Sequence, residues 1–336
     1  MSGIKDIAKL TGLSLATISR VFNDSELVSP KTKKKVLKAA KDLDYQPNMM
    51  ASALRSGRSK IIGVIVPEIN NHFFSSIING IEQKLRSSGY HLIIAQSHEV
   101  QSTEITALQS FIQLNVVGIL ISISKETKNI PFLKKFDSKV PVVFFDRLPS
   151  FKTKNLVVLD DYKGAFMATQ YLIDCGCKQL LHIQGNQNVS IFKNRKKGFV
   201  DALVQNNHEI IKENSFEIIG DIAKDTSLIK KILSKHPDID GVFAHGDESC
   251  LYVINILKTL NIMIPEQVQI IGFGNTEFGA LTNPKMTTVD QKCLEMGILA
   301  ADMLLKNLKK NNKESSKLVL VPELIIRDST KQIILD

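Results

Sequence analysis

The sequence predicts a two-part molecule: a small all-α helix-turn-helix head, then an α/β body of doubly wound parallel sheet. Three observations carry this. Short amphipathic segments broken at Gly12 fill the first 46 residues. Beyond Lys60, apolar runs of strand length alternate with longer stretches of helical spacing. Charge is concentrated at the start: residues 1–60 hold 12 Lys and Arg against 5 Asp and Glu, +7 of the chain's +9. A basic head on a near-neutral body suits phosphate contact through counterion release, whereas evenly spread charge reads as a solvated surface.

In the head, Ile7, Ala8 and Leu10 give a first amphipathic segment. The chain breaks at Gly12 and restarts after Ser14, whose hydroxyl can cap the next helix through the amide of Thr17. In that second helix Ile18 and Val21 suit a core, while Ala8 and Gly12 leave room for a close crossing. Leu15, Ala16, Ser19 and Arg20 are then expected to point outward, free to enter a major groove. A third helix opens at Ser29-Pro30 and should bury Val36, Ala40 and Leu43. Lys31, Lys33, Lys34, Lys35 and Lys38 lie on it as phosphate contacts. For any one of them a solvated helix face is an equal alternative.

Between Asp44 and Lys60 the chain turns polar around Pro47, then offers a short helical stretch, Asn48 to Arg55, ended by Gly57. Barely two turns long, it would order only beside DNA or a partner segment. A flexible linker is the alternative, and the apolar Leu54 argues against it.

The body follows as strand, helix, strand, helix. IIGVIV, HLIIA, GILIS, PVVFF, LVVL, QLLHI, FEII, GVFA and VQIIG read as strands. Phe74 to Leu85 reads as a helix, with Phe74, Ile77, Ile78, Ile81 and Leu85 on one face. Residues 307–317 read as a solvated loop. Ligands of open parallel sheets bind beyond the carboxyl ends of strands, where loops and helix N-termini converge. Asn70 to Phe73, Gln96, Asp146, Asn186 to Ser190, His245 to Asp247 and Asn275 follow strands here. Polar groups with two aromatic rings nearby suit a polyhydroxylated ligand, although strand-end loops are polar in any protein.

The head, the stretch QPNMMASALRSGRSKIIGVIVP and the late segment PELIIRDST together resemble the lactose repressor/galactose repressor (LacI/GalR) family of transcriptional regulators, across nearly all of the chain. The resemblance implies a helix-turn-helix head over 1–46, a hinge helix and linker over 47–60, and a two-lobed, periplasmic-binding-protein-like effector domain over 61–336. Its first lobe would take about 61–158 and 290–321, its second about 159–289 and 322–336. DNA contacts are implied for Ser14, Leu15, Ala16, Thr17, Ser19, Arg20 and Asn23. From the hinge they are implied for Asn48, Ala51 and Leu54, the last wedged between base pairs in the minor groove. Effector contacts are implied for Phe73, Phe74, Asp146, Arg195, Asp247, Asn275 and Gln291, with Arg195 foremost because its planar fork can hold two hydroxyls or a carboxylate.

By the same resemblance the chain is a sequence-specific repressor that binds a double-stranded operator as a homodimer and is controlled by a small-molecule effector, a sugar or sugar derivative. The alternatives are a regulator switched by a protein co-regulator and a sugar-binding protein without a DNA role. There are departures. GFGN puts Gly274 where the family has an effector-binding aspartate, and HGD puts Gly246 where an asparagine is common. The effector class stays open between a phosphorylated sugar, another sugar series and a protein co-regulator.

Other classes fit poorly. Gly272, Gly274 and Gly279 miss the spacing of a dinucleotide loop, and no nucleophile elbow, Walker loop or metal-ligand cluster occurs, so no catalytic residue, metal or cofactor is expected. Cys175, Cys177, Cys250 and Cys293 are too dispersed for a disulfide framework or a zinc site. The start lacks a secretory signal and no apolar run has membrane-spanning length, which predicts a cytoplasmic protein without membrane contact. KQIILD after PELIIRDST is too short for a tetramerising coiled coil, so assembly should stop at a dimer.

Overall fold

A computed structural model describes residues 3–22, 27–45, 59–127, 140–147, 153, 155–210, 215–218, 221–310 and 316–333. They fall into two compact units, one up to Lys60 and one from Ile61.

The first unit contains α1 (Ile4–Thr11), α2 (Leu15–Phe22) and α3 (Pro30–Asp42). Gly12 ends α1 in the left-handed region at φ 67°, where a side chain would be strained. Ser14 Oγ then accepts from Thr17 N at 3.1 Å and starts α2. Ser29 does the same for α3, accepting from Thr32 N at 3.3 Å, with Pro30 in the first turn. Ile7, Ile18, Val21, Val36 and Ala40 form the core with Val28 and Ala39. Leu10, expected on the apolar face, is 58% exposed, and Leu43 is only half-buried. Leu10 sits three residues beyond Ile7, at the end of a helix too short to carry the stripe another turn.

The second unit has two six-stranded sheets. Chain order is β1 (Ile61–Val66), α4 (His72–Ser87), β2 (His91–Gln96), α5 (Gln101–Gln113), β3 (Gly118–Ile121), β4 (Val142–Phe145), β5 (Asn155–Leu159), α6 (Asp161–Asp174), β6 (Leu180–Ile183), α7 (Ser190–Gln205) and β7 (Ser215–Phe216). There follow α8 (Ile222–Lys235), β8 (Gly241–Ala244), α9 (Asp247–Thr259), β9 (Gln269–Gly274), a 3-10 turn at Glu277–Ala280, β10 (Thr287–Asp290), α10 (Cys293–Lys310), β11 (Ser316–Leu320) and β12 (Glu323–Ile325).

The sheets run β11-β5-β4-β3-β1-β2 and β12-β10-β9-β8-β6-β7. Every neighbouring pair is parallel except β10 with β12. This is the alternation the sequence predicts, since parallel neighbours need a helical crossover between them. The central strands are apolar along their whole length because helices cover both faces, as in β4 and β8. Of the stretch FEII, Phe216 pairs with β6, together with the preceding Ser215. The chain passes between the sheets three times: after β5, after β10 and after β11. Glycines set the helix spacing, because a Cβ on Gly80 of α4 would collide with Leu294 O, and one on Gly297 of α10 with Ile77 O.

Candidate nucleic-acid face and ligand cleft

On α2, Ile18 and Val21 are buried, and Ser14, Leu15, Ala16 and Arg20 are exposed. Thr17 and Ser19 are half-buried, so Ser19 presents less than expected. The hydroxyls of Ser14 and Thr17 lie 2.9 Å apart at the helix start. The result is a short helix N-terminus with small polar groups, an apolar Leu15 and a cationic Arg20 on one open face, which is what a major groove reader needs. Asn23, Asn48, Ala51 and Leu54 lie outside the described residues.

Between the two sheets of the second unit is a cavity of about 160 Å³. Its first-lobe wall is Asn71, Phe73, Phe74, Asp146 and Arg147; its second-lobe wall includes Phe192, Arg195, His245, Asp247 and Phe273, with Gln291 between. Asn71 caps α4 by accepting from Phe73 N at 2.8 Å, which fixes the entry of the two phenylalanines. Arg195 is buried, and each of its three nitrogens has a partner. Its Nε and Nη2 lie 2.8 and 2.7 Å from Asp161 Oδ1, Nη1 donates to His245 O, and Nη2 donates to Gln291 Oε1 at 2.9 Å. Its guanidinium also stands 3.7 Å from the centre of the Phe273 ring. Burial pushes the Asp161 carboxyl up to about 6 against the pull of Arg195, and drives His245 down to about 4, with the arginine's charge adding to that effect. His245 is therefore a neutral lining group, and Asp161 is held as an anion by its arginine.

Comparison with known proteins bears on both regions. Residues 3–48 match the model of the bacterial regulatory proteins, lacI family, and residues 62–313 match a periplasmic binding protein domain. Catabolite control protein A of Priestia megaterium is 32% identical over 98% of this chain and 99% of its own. The chain belongs to the lacI family. The ribose operon repressor of Halalkalibacterium halodurans is 29% identical, covering 98% of each chain. A solved structure of the transcriptional regulator CelR in complex with cellobiose aligns over 98% of this chain and all of that one, with 26% identity and a TM-score of 0.73. As a lacI-family protein the chain is a DNA-binding transcription regulator, in line with a relative named as a repressor.

Of the effector residues that the lacI-family resemblance implied, Phe73, Phe74, Asp146, Arg195, Asp247 and Gln291 all line the cavity. Asn275 does not. Its backbone is in the left-handed region at φ 52°, and its Oδ1 turns away to accept from Arg327 Nη2 at 2.7 Å. Asp247 is spoken for: its carboxylate accepts from Thr276 N at 2.7 Å, from Thr276 Oγ1 at 2.9 Å and from Thr288 Oγ1 at 2.5 Å. A Cβ on Gly272 or Gly274 would press on that same carboxylate, so Asp247, at the start of α9, occupies the space that a side chain at 274 would need. Burial raises its pKa, and the two threonines work against that rise.

Sequence reasoning missed Arg147, Phe192, Asp161 and Glu99. Arg147 directly follows Asp146 and is buried; Nη1 and Nη2 each donate to Glu99 at 2.8 Å, and Nη1 also donates to Ile123 O at 3.0 Å. Phe192 lies one helical turn before Arg195, a spacing that was available as a signal. Asp161 was hidden by its neighbour: Asp160 is the cap of α6, accepting from Lys163 N at 3.0 Å, and Asp161 turns inward. Among the described residues no group of His, Cys, Asp and Glu could hold a metal, and no helix is long and apolar enough to cross a membrane.

Proposed function

We propose that the chain is a cytoplasmic, homodimeric transcription repressor whose operator affinity is set by a carbohydrate effector bound in the cleft. The observation that carries this reading is the placement of Arg195. Its donors go to Asp161, just past the first crossing between lobes, and to Gln291, at the second. A ligand that takes or adds to those bonds acts on the segments about which the lobes turn, so it can favour one lobe arrangement by its differential affinity. Phenylalanine faces with polar groups converging from both walls suit a ring bearing hydroxyls. A ribose operon repressor among the relatives, and a cellobiose complex among similar structures, support the ligand class.

The test is a thermal-shift screen of sugars and sugar phosphates on the full chain, since a ligand of the native state raises its melting temperature. Operator titrations with and without each hit follow, on wild type and Arg195→Ala. The expected result is a hit that changes operator affinity in wild type and leaves Arg195→Ala unresponsive. A full response in Arg195→Ala would place the ligand elsewhere, and a screen without hits would point to a protein co-regulator.

A further inference from the structure

We propose that Glu99 and Asp161 set the charge class of the effector: each neutralises one of the cleft's two guanidiniums in advance, so the pocket takes an uncharged, hydroxyl-rich ligand and rejects anionic ones. This rests on the effector reading above. Two buried arginines facing one cavity would ordinarily suggest a phosphate or carboxylate ligand. Here each already has a dedicated carboxylate. Glu99 grips Arg147 at two points, 2.8 Å from both Nη1 and Nη2, and also accepts from Lys125 N at 2.7 Å. Asp161 meets Arg195 at 2.8 and 2.7 Å with both side chains buried.

The placement of Glu99 is not incidental to the loop. His98 and Glu99 are consecutive non-glycine residues in the left-handed region, at φ 50° and 61°, a conformation that persists only where the surroundings enforce it. That pair of turns delivers the carboxylate to Arg147. Asp146 and Asp247 line the cavity as well. Whether these two are protonated or ionised, the described lining and its partners sum to zero or to negative charge, never to positive.

What the arginines keep is hydrogen-bonding capacity without net charge. Of the five N–H donors on a guanidinium, Arg147 uses three in hydrogen bonds, and its buried Nε makes none, with Asp146 Oδ2 beside it at 3.6 Å. Arg195 keeps a donor on Nη1 beyond the one given to His245 O. Left-over donors beside carboxylate acceptors match hydroxyl groups, which both give and accept; a phosphate brings negative charge against Asp146, and a fully ionised monoester only accepts.

Calorimetric titration of inorganic phosphate into the full chain tests this, on wild type, Glu99→Gln, Asp161→Asn and the double variant. Both substitutions keep side-chain size and an acceptor oxygen. Phosphate also meets the basic head, so Arg195→Gln is the control that isolates the cleft. The expected result is that wild type shows no phosphate binding that Arg195→Gln removes, while the double variant gains saturable binding at least about tenfold tighter than the weakest the titration of wild type could detect. Cleft binding of phosphate by wild type overturns the proposal, as do folded variants that gain none. A second measurement needs no variant: each sugar that binds is compared with its phosphate monoester. A monoester at least about tenfold weaker supports the charge rule. A tighter monoester overturns it while effector control stands, and a screen with no hit at all removes the effector reading itself.

Discussion

Arg20 stands on the open face of α2 beside the exposed Leu15 and Ala16; its guanidinium can pair with a guanine edge, and the two apolar side chains can contact thymine methyls. Arg20→Ala is expected to cost about 1–3 kcal/mol on the cognate operator and little on random DNA; fluorescence anisotropy on both sequences checks it, and equal losses would make Arg20 a phosphate contact. In the second lobe, His182 is fully buried between the Phe199 and Phe243 rings, and neither of its nitrogens has a partner. Burial holds its pKa well below 6.5. The native ring therefore stays neutral while the unfolded chain binds a proton below pH 6.5, so this contribution to stability is present above that pH and lost as pH falls. His182→Phe should raise stability by about 1–2 kcal/mol at neutral pH, and flatten its decline from pH 7 to 5 in urea unfolding. Asp161 works in the opposite sense: its raised pKa favours the native state at low pH, and that contribution disappears as pH rises toward 6. Residues of this kind are hard to read from sequence. Arg147 and Glu99 are 48 positions apart and meet through sheet order, and Asn275 leaves the cleft through a single backbone torsion.

Elements were more legible. Strand runs such as VVFF and GVFA are short, apolar and bounded by turn residues, and the face of α4 from Phe74 to Leu85 follows helical spacing and is buried except at Ile78, which is half-buried. The close helix crossings were not, because nothing local marks which glycines face a partner backbone. Gly80 and Gly297 are reciprocal, each lying over a carbonyl of the other helix; Gly198 of α7 does the same over Tyr162 O of α6 in the second lobe. Gly297→Ala must therefore push α10 off α4. A loss of about 1–3 kcal/mol is expected from overpacking, with both lobes still folded by circular dichroism. A stability equal to wild type would mean the helices separate freely.

The whole molecule is a basic reader tied to a body that passes between its lobes three times. A two-fold operator needs two heads, so light scattering on the DNA-free protein should give a dimer's mass, and either a monomer or a stable tetramer would contradict this. The fold class was legible from the alternation and the charge split, while the join between lobes could be expected only from the family resemblance, since periodicity says nothing of which sheet a strand enters.

The two latest strands, β11 and β12, bear on how the protein is made. β11 covers β5, more than 150 residues earlier in the chain, and β12 closes against β10 in the other sheet. During synthesis the head can fold as soon as it leaves the ribosome. Both sheets, however, wait with an open edge until these strands emerge, and such edges invite pairing with other nascent chains. A message cut short after α10 should therefore yield a chain with a folded reader and an unfinished, aggregation-prone body, so quality control rather than operator binding would decide its fate in the cell.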